Sequence, residues 1–146
     1  MLSVDQLKKS FADEAAVLFS DADAIAANSL EDALTLLLTL EKKCRIGNDF
    51  KTLKDVCLHM VRLCKDNNDW SRLNTTLAVI NKRRAQNKNA IAAIVDEAIS
   101  YLAPLTNVEI KVNLIKTLSE ICEEKMYVEA YDGVNFGEQR RHYRCL

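Results

Sequence analysis

The chain has 146 residues, of which 49% are hydrophobic and 28% are charged, and its formal net charge is -1. This length allows one domain with a sizeable core, and the near-neutral charge gives no reason to expect nucleic acid or an anionic membrane as a partner. No apolar run is long enough to predict a transmembrane helix, and the segment 1–14 lacks the apolar stretch of a secretory signal. Three glycines and one proline are too few for the turns of a β-sheet protein, so the composition predicts an all-α fold.

The first three predicted helices are defined by caps and by apolar residues that recur every three to four positions. Ser3 and Gln6 form a capping box before the first helix, and Ser29 caps the second. Gly47 is expected to take the left-handed conformation that ends the second helix. The predicted inward residues are, helix by helix, Leu7, Phe11, Leu18 and Ile25; Leu30, Ala33, Leu34, Leu37 and Leu40; Leu53, Val56, Cys57, Met60 and Cys64.

The last three predicted helices follow from the same signals. Asn68 is the candidate cap of the fourth helix, and the boundary between the fourth and fifth helices falls within residues 86–89. Pro104 ends the fifth helix, and Thr106 with Glu109 forms a capping box for the sixth. The predicted inward residues are, helix by helix, Trp70, Leu73, Leu77 and Ile80; Ile91, Ile94, Val95, Ala98 and Leu102; Val108, Val112, Ile115, Leu118 and Cys122.

Helix pairs recur at intervals of roughly 40 residues, which is typical of HEAT- and tetratricopeptide-like repeats. The second helix carries five apolar residues between positions 34 and 40, a stripe too wide for one neighbour. In a stack of repeats each helix is covered on two sides. The pattern therefore favours a right-handed α–α superhelix, a solenoid of about three antiparallel hairpins over residues 1–129. A closed six-helix bundle is the alternative that the pattern leaves open.

The five cysteines are an odd number, widely spaced, with no C-x-x-C pair. They predict buried thiols in a reducing compartment, with no disulfide framework, metal site or cofactor. The two histidines, His59 in mid-helix and His142 near the end of the chain, cannot be combined convincingly with a nucleophile and an orienting acid. No glycine-rich phosphate loop is present either. We therefore predict no catalytic residues and no enzymatic activity.

The densest basic cluster consists of Lys82, Arg83, Arg84 and Lys88. The favoured interpretation is a solvated helix end whose cations complement the helix dipole, followed by a contact with a protein partner. Nucleic-acid binding is the weakest of the three interpretations, because no aromatic residues interleave with the charges. These four residues are the candidate partner contact.

Two further groups of residues have expected structural roles. Trp70 heads the fourth helix and is expected to anchor the core rather than to form a binding hot spot, together with three aliphatic residues of the same face. The structural anchors are predicted to be Trp70, Leu73, Leu77, Ile80 and Tyr127. A charged group at the end of the second helix is expected to form a solvated face. It consists of Glu41, Lys42, Lys43 and Arg45.

Four segments of the chain, in order, resemble those of one known family. They are LTLLLTLEKKCR (34–45), NDWSRLNTTLAVINKRRAQNKNAI (68–91), IKVNLIKTLSE (110–120) and KMYVE (125–129). Together they cover roughly residues 29–129 and resemble the N-terminal region of the 26S proteasome non-ATPase regulatory subunit 12 family, a PCI-domain scaffold of the proteasome lid. None of the four segments is a catalytic signature.

The resemblance implies a non-catalytic scaffold that acts in ubiquitin-dependent protein degradation, in the cytoplasm and nucleus. The partners that it implies are other lid subunits, the ATPase ring and the α ring of the core particle. Residues 130–146 depart from the family pattern, with Gly133 and Gly137 opposing a helix, so we expect an irregular tail and no PCI domain. A tetratricopeptide- or HEAT-like adaptor, or a scaffold of another PCI complex (COP9 signalosome or translation-initiation factor), is the alternative.

Overall fold

Six α-helices make up the part of the chain that the structure describes. The computed structural model describes residues 10–125, and every regular element in this range is helical. The helices are α1 (Ala12–Ala26), α2 (Leu30–Ile46), α3 (Phe50–Asp66), α4 (Trp70–Lys82), α5 (Lys88–Leu102) and α6 (Val108–Lys125). None of these described helices is both long enough and apolar enough to cross a membrane. The all-α prediction is confirmed.

The helices stack in chain order. Within residues 10–125, each helix contacts only helices that are one or two positions away along the chain. Among the six described helices, α3 packs against α1, α2, α4 and α5, whereas α6 packs against α4 and α5 alone. A closed bundle would bring the first and last helices together, and α1 does not contact α6 in the described range. The architecture is therefore the predicted α-helical solenoid, and its right-handedness stays a prediction.

Side-chain hydrogen bonds between successive hairpins recur at separations of 35 to 45 residues. Arg62 donates to Glu97 across 35 positions, and Asn81 donates to Glu124 across 43 positions. Two helices with their loops occupy about 40 residues in such repeats, so equivalent positions of neighbouring hairpins come together. These bonds tie each hairpin to the next one along the stack.

Two helix junctions share both a sequence pattern and a geometry. The α2–α3 junction (47–50) and the α3–α4 junction (67–70) each read x-Asn-Asp-aromatic. In both, the asparagine lies in the left-handed region, with φ of 60° at Asn48 and 56° at Asn68. The next residue, Asp49 or Asp69, then caps the following helix through its carboxylate. Asparagine tolerates this backbone conformation better than most residues, which explains its place here.

Three predicted junction residues were wrong by one position. The left-handed residue after α2 is Asn48 and not Gly47, and the cap of α4 is Asp69 and not Asn68. At α6, Asn107 accepts the hydrogen bond from the Ile110 amide, in place of the predicted Thr106. The cause is that an asparagine can cap a helix or adopt the left-handed conformation, and the sequence alone does not decide between them.

Gly47 is required by packing rather than by its backbone angle. Its φ is -80°, which any residue can adopt. A Cβ atom at this position would lie 2.8 Å from Cε2 of the buried Phe11 ring and 3.0 Å from the carbonyl oxygen of Lys43. The first residues of α1 therefore close against the α2–α3 junction, and the Phe11 amide also donates to Asp49 at 2.8 Å.

The predicted apolar faces agree with the structure in α2 to α5, where the predicted inward residues are buried or packed against the core. In α1 the buried helical residues are alanines, and Leu18 and Ile25 are only partly buried. In α6 the prediction was confirmed at Leu118 and Cys122, which are buried, and was wrong at Val108 and Val112, which are 73% and 52% exposed. The residues that α6 buries are Leu114, Leu118, Ile121 and Cys122. A helix of a stack has two apolar sides, and the pattern does not reveal which side meets α4 and α5.

The predicted features at either end of the chain cannot be compared with this architecture. The capping box of Ser3 and Gln6, residue Leu7, the anchor Tyr127 and the tail at 130–146 all lie outside the described residues.

Candidate functional site

The α4–α5 loop (83–87) carries the basic cluster and has a fixed course. Arg83 leaves α4 in an extended conformation, and Ala85 adopts a φ of 57°, which is unfavourable for a residue with a Cβ atom. The side chain of Gln86 reaches back and donates from Nε2 to the carbonyl oxygen of Ile80 at 3.0 Å. Asn87 then caps α5 by accepting from the Ala90 amide. The loop is thus held at both of its ends.

A fully buried carboxylate, that of Glu41 in α2, holds the middle of this loop. Arg45 donates from Nε to Glu41 Oε2 at 2.8 Å, one turn along the same helix. From the loop, Gln86 Nε2 donates to the same oxygen at 3.3 Å, and Arg83 Nε lies 3.3 Å from Glu41 Oε1. This contact is an ion pair and not a hydrogen bond. Within the described residues, neither Arg83 Nε nor Glu41 Oε1 has a hydrogen-bond partner. Arg45 also donates from Nη1 to the carbonyl oxygen of Arg84 at 2.9 Å.

We call this set of residues the Glu41 cluster; it consists of Glu41, Arg45, Arg83 and Gln86. Burying a carboxylate is costly unless cations and donors surround it, and the cluster supplies both from two hairpins. Its effect is to fix α2 against the α4–α5 loop.

The prediction that Glu41 lies on a solvated face was wrong. Glu41 follows Leu37 by four positions and precedes Cys44 by three, so it continues the row of residues that α2 buries. That spacing is the signal that could have placed it inward, but a glutamate is almost never fully buried without a partner. Arg45 lies only four positions away, but the other two partners, Arg83 and Gln86, lie more than 40 positions further along the chain, where the sequence alone does not point to them.

The structure divides the predicted partner contact into two groups. Lys82, Arg84 and Lys88 have exposed side chains, and within residues 10–125 neither Lys82 nor Arg84 has an ion pair. Arg83 is 34% exposed and pairs with Glu41. The first three residues are therefore accessible at the surface, whereas Arg83 is only 34% exposed and pairs within the fold.

The predicted anchors in α4 lie along the middle of the stack. Leu73, Leu77 and Ile80 are fully buried, and Trp70 is partly buried at the first position of the helix. The Trp70 indole donates from Nε1 to Asn68 Oδ1 at 3.0 Å, and its ring meets that of Tyr101 edge-on with centroids 6.3 Å apart. Trp70 thus joins the start of α4 to the end of α5, and its role as an anchor stays a prediction.

A second polar cluster, which sequence reasoning missed, links α3 to α5. Arg62 lies 3.2 Å from Glu97, and the Tyr101 hydroxyl donates to the same carboxylate at 2.6 Å. These two hydrogen bonds hold the pKa of Glu97 below its ordinary value, with Arg62 as the larger cause. Burial, followed by the nearby Glu97, raises the pKa of Tyr101, so its hydroxyl stays protonated and donates. The cluster is a structural cross-link between hairpins.

His59 has a structural environment. Its ring stacks on Phe19 with centroids 4.3 Å apart, and its Nε2 lies 2.7 Å from Asp23 Oδ1. Both contacts come from α1, so the imidazole joins α1 to α3.

The described cysteines are buried, as predicted. They are Cys44, Cys57, Cys64 and Cys122; Cys145 lies outside the described residues. Burial raises the pKa of Cys44 to about 12 and also raises the pKa of Cys57. These two thiols stay protonated at neutral pH, the form that is neither a good nucleophile nor a metal ligand. Between residues 10 and 125, no group of three metal-ligating side chains is arranged to hold an ion.

Comparison with known proteins connects these features to one family. Residues 32–133 match the family model described as PSMD12/CSN4, N-terminal. This range includes the whole Glu41 cluster and the helices α3 to α6, whereas α1 precedes it.

Three curated proteins illustrate the similarity. The chain is 30% identical over 103 residues to the 26S proteasome non-ATPase regulatory subunit 12 homolog B of Arabidopsis thaliana, covering 70% of this chain and 23% of that protein. It is 31% identical over 113 residues to the 26S proteasome regulatory subunit RPN5 of Saccharomyces cerevisiae, covering 76% and 25%. It is 33% identical over 103 residues to the subunit 12 of Dictyostelium discoideum, covering 70% and 23%. The chain thus spans about a quarter of the length of these relatives.

Proposed function

Because the chain belongs to the PSMD12/CSN4 N-terminal family, we propose that it acts as a non-catalytic scaffold module of a proteasome regulatory-particle lid. The observation that supports this proposal most directly is the family match over residues 32–133, combined with relatives that are proteasome regulatory subunits. The proposed setting is ubiquitin-dependent protein degradation in the cytoplasm and nucleus. The proposed partners are other lid subunits, the ATPase ring and the α ring of the core particle.

The proposed mechanism is recognition by a rigid loop, with no chemical step. The Glu41 cluster holds the α4–α5 loop, so a partner that binds this loop does not have to order it first. Preorganisation of this kind lowers the entropic cost of association. Lys82, Arg84 and Lys88 would then contact acidic groups of the partner, while Arg83 keeps the loop in place. The charge contacts would mainly govern specificity and association rate.

Affinity purification tests this proposal. The chain would be tagged, expressed in cells and purified under gentle conditions, and the co-purifying proteins identified by mass spectrometry. We expect lid subunits among them. The Arg84→Glu variant should fold normally and recover fewer lid subunits, whereas the Lys116→Glu variant, which makes the same change at an exposed residue of α6, should match the parent. A set of partners without any proteasome component would contradict the proposal.

A scaffold of another PCI complex is the second candidate. The description of the matched family also names CSN4, so the family match alone does not separate the two complexes. The same purification distinguishes them by the identity of the recovered subunits.

A further inference from the structure

A shallow surface cavity lies beside the last turn of α2, next to the start of α1. Its volume is about 470 Å³. We call it the α2 notch; it is lined by Phe11, Glu14, Thr39, Lys42, Lys43, Ile46 and Gly47. It belongs to the same end of the solenoid as the α4–α5 loop, because Arg45 at the end of α2 donates to the Arg84 carbonyl.

The α2 notch combines an apolar floor with a charged rim that contains Lys42, Lys43 and Glu14. Ile46 is 65% exposed, although it is a large aliphatic side chain, and the Phe11 ring lies against Gly47 beside it. A single exposed isoleucine is ordinary on a protein surface, but one that borders a cavity next to an aromatic ring offers a place for another apolar side chain. Lys42 is exposed and has no ion pair within the described residues, and Lys43 shares its charge with Glu14 at 2.8 Å.

Cations outnumber carboxylates around the notch. In the ranges 42–54 and 82–88, which include the ends of α2 and α4 and the starts of α3 and α5, the only acidic residue is Asp49. The acidic residues next to these ranges are the buried Glu41, Asp55 in α3, and Asp13 and Glu14 at the start of α1. Burial opposes ionisation of Asp49, but hydrogen bonds from Phe11 and Thr52 hold its pKa below the ordinary value, and its carboxylate is occupied by these amides. The exposed cations in the two ranges are Lys42, Lys43, Lys51, Lys54, Lys82, Arg84 and Lys88.

We propose that the α2 notch binds an acidic segment of a partner protein that inserts one large apolar side chain beside Ile46. The charge complementarity selects the acidic segment, and the apolar floor selects the side chain. This inference rests on the proposed function only in that the chain binds other proteins. Beyond that function, the inference adds a second binding site, the α2 notch, and specifies the chemistry of the segment that would occupy it.

The test uses the purified full chain, labelled with ¹⁵N for NMR, and two synthetic peptides. One peptide consists of glutamate and aspartate with a central leucine–phenylalanine pair, and the other has alanines in place of the pair. We expect the first peptide, at low salt, to shift the amide signals of Lys42, Ile46 and Gly47. The alanine peptide should bind about tenfold more weakly, since that factor corresponds to the loss of one buried apolar side chain.

Two variants separate the notch from the rest of the surface. Ile46→Ser should weaken binding of the first peptide by about tenfold. Lys42→Glu, made alone in the parent chain, should weaken binding at low salt by more than Ile46→Ser does. Val17→Ser, which changes another exposed aliphatic residue (61% exposed, on α1), should bind like the parent. Equal binding by the Ile46→Ser variant and the parent would overturn the proposal.

Three other outcomes would also overturn it. One is the absence of any shift with the first peptide at low salt. Another is an equal response to a short DNA oligonucleotide, which would mean that charge alone is recognised. The third is a combination of two results: the parent chain does not respond to the first peptide, and the Leu7→Ser substitution shifts the Gly47 amide signal. In that case the segment 1–9 of the chain itself would fill the notch. None of these outcomes bears on the recovery of lid subunits, so failure of this inference and failure of the proposed function are distinguishable.

Discussion

Replacing Arg45 with methionine removes the closest cation of the buried Glu41 carboxylate. Arg45 Nε lies 2.8 Å from Glu41 Oε2, and the Arg45 side chain is only 12% exposed. Methionine keeps an unbranched, flexible shape of similar length, so the main loss is the charge and the hydrogen bonds rather than packing. Glu41 would retain the contacts with Arg83 and Gln86, both at the longer distance of 3.3 Å.

We expect Arg45→Met to lower the free energy of unfolding by about 3 kcal/mol. Breaking a buried ion pair from one side costs roughly 3–5 kcal/mol, and Arg83 offsets part of this cost. Adding Glu41→Gln to this variant should recover stability, because a neutral amide does not need a cation at that distance. The double-mutant cycle should therefore give an interaction energy of at least about 1 kcal/mol between the two positions.

Urea unfolding, followed by far-ultraviolet circular dichroism, measures these differences. Arg62→Met is the matched control, because Arg62 is 54% exposed and its pair with Glu97 should contribute less than about 1 kcal/mol. The reasoning would be refuted if Arg45→Met unfolded within about 0.5 kcal/mol of the parent, the range of ordinary surface substitutions. Simple additivity in the double variant would likewise show that Arg45 does not stabilise the Glu41 charge.

Three other substitutions test the packing and the electrostatics, each by the same unfolding measurement. Leu77→Asp should unfold the chain, because burying an unpaired carboxylate costs several kcal/mol, whereas Val112→Asp at an exposed position should change stability by less than about 0.5 kcal/mol. Equal stability of these two variants would contradict the assigned faces. Gly47→Ala should cost about 1–3 kcal/mol, since the added methyl group would lie 2.8 Å from a buried ring carbon, and a neutral effect would mean that the junction yields easily. Glu97→Gln should make stability less dependent on pH below about pH 5. Arg62 holds the pKa of Glu97 in the folded chain below its ordinary value of 4.5. As the pH falls, the unfolded chain therefore takes up the proton first, and the stability that the ionised Glu97 contributes is lost as the pH passes through the folded pKa. An unchanged acid slope would exclude this role.

The fold could be predicted because its determinants are local. Scarce glycine and proline, apolar residues at helical spacing and a repeat of roughly 40 residues predicted a stack of hairpins. The junctions were placed only to within one residue, since Asn48 and Asn68 could serve as caps or as left-handed residues. The inward side of α6 was misassigned at Val108 and Val112, because the side that packs depends on the positions of α4 and α5.

The candidate site could be predicted only in part, because several of its contacts join residues that are distant in sequence. The basic cluster was visible as a run of cations, and its exposed members are Lys82, Arg84 and Lys88. That Arg83 points back to Glu41 depends on a contact between positions 42 residues apart, which exists only once the hairpins have stacked. The same is true of Glu97, whose partner Arg62 is 35 positions away.

Two of the segments that resemble the family are parts of one physical unit. The first, 34–45, supplies Glu41 and Arg45, and the second, 68–91, supplies Arg83 and Gln86. A buried carboxylate in one hairpin restricts which residues the next hairpin can place opposite it, because an unpaired charge there is costly. The contacts of Glu41 that stabilise the stack also hold the α4–α5 loop, which carries the exposed Arg84 side chain. The same four residues, those of the Glu41 cluster, therefore stabilise the fold and position the proposed binding surface.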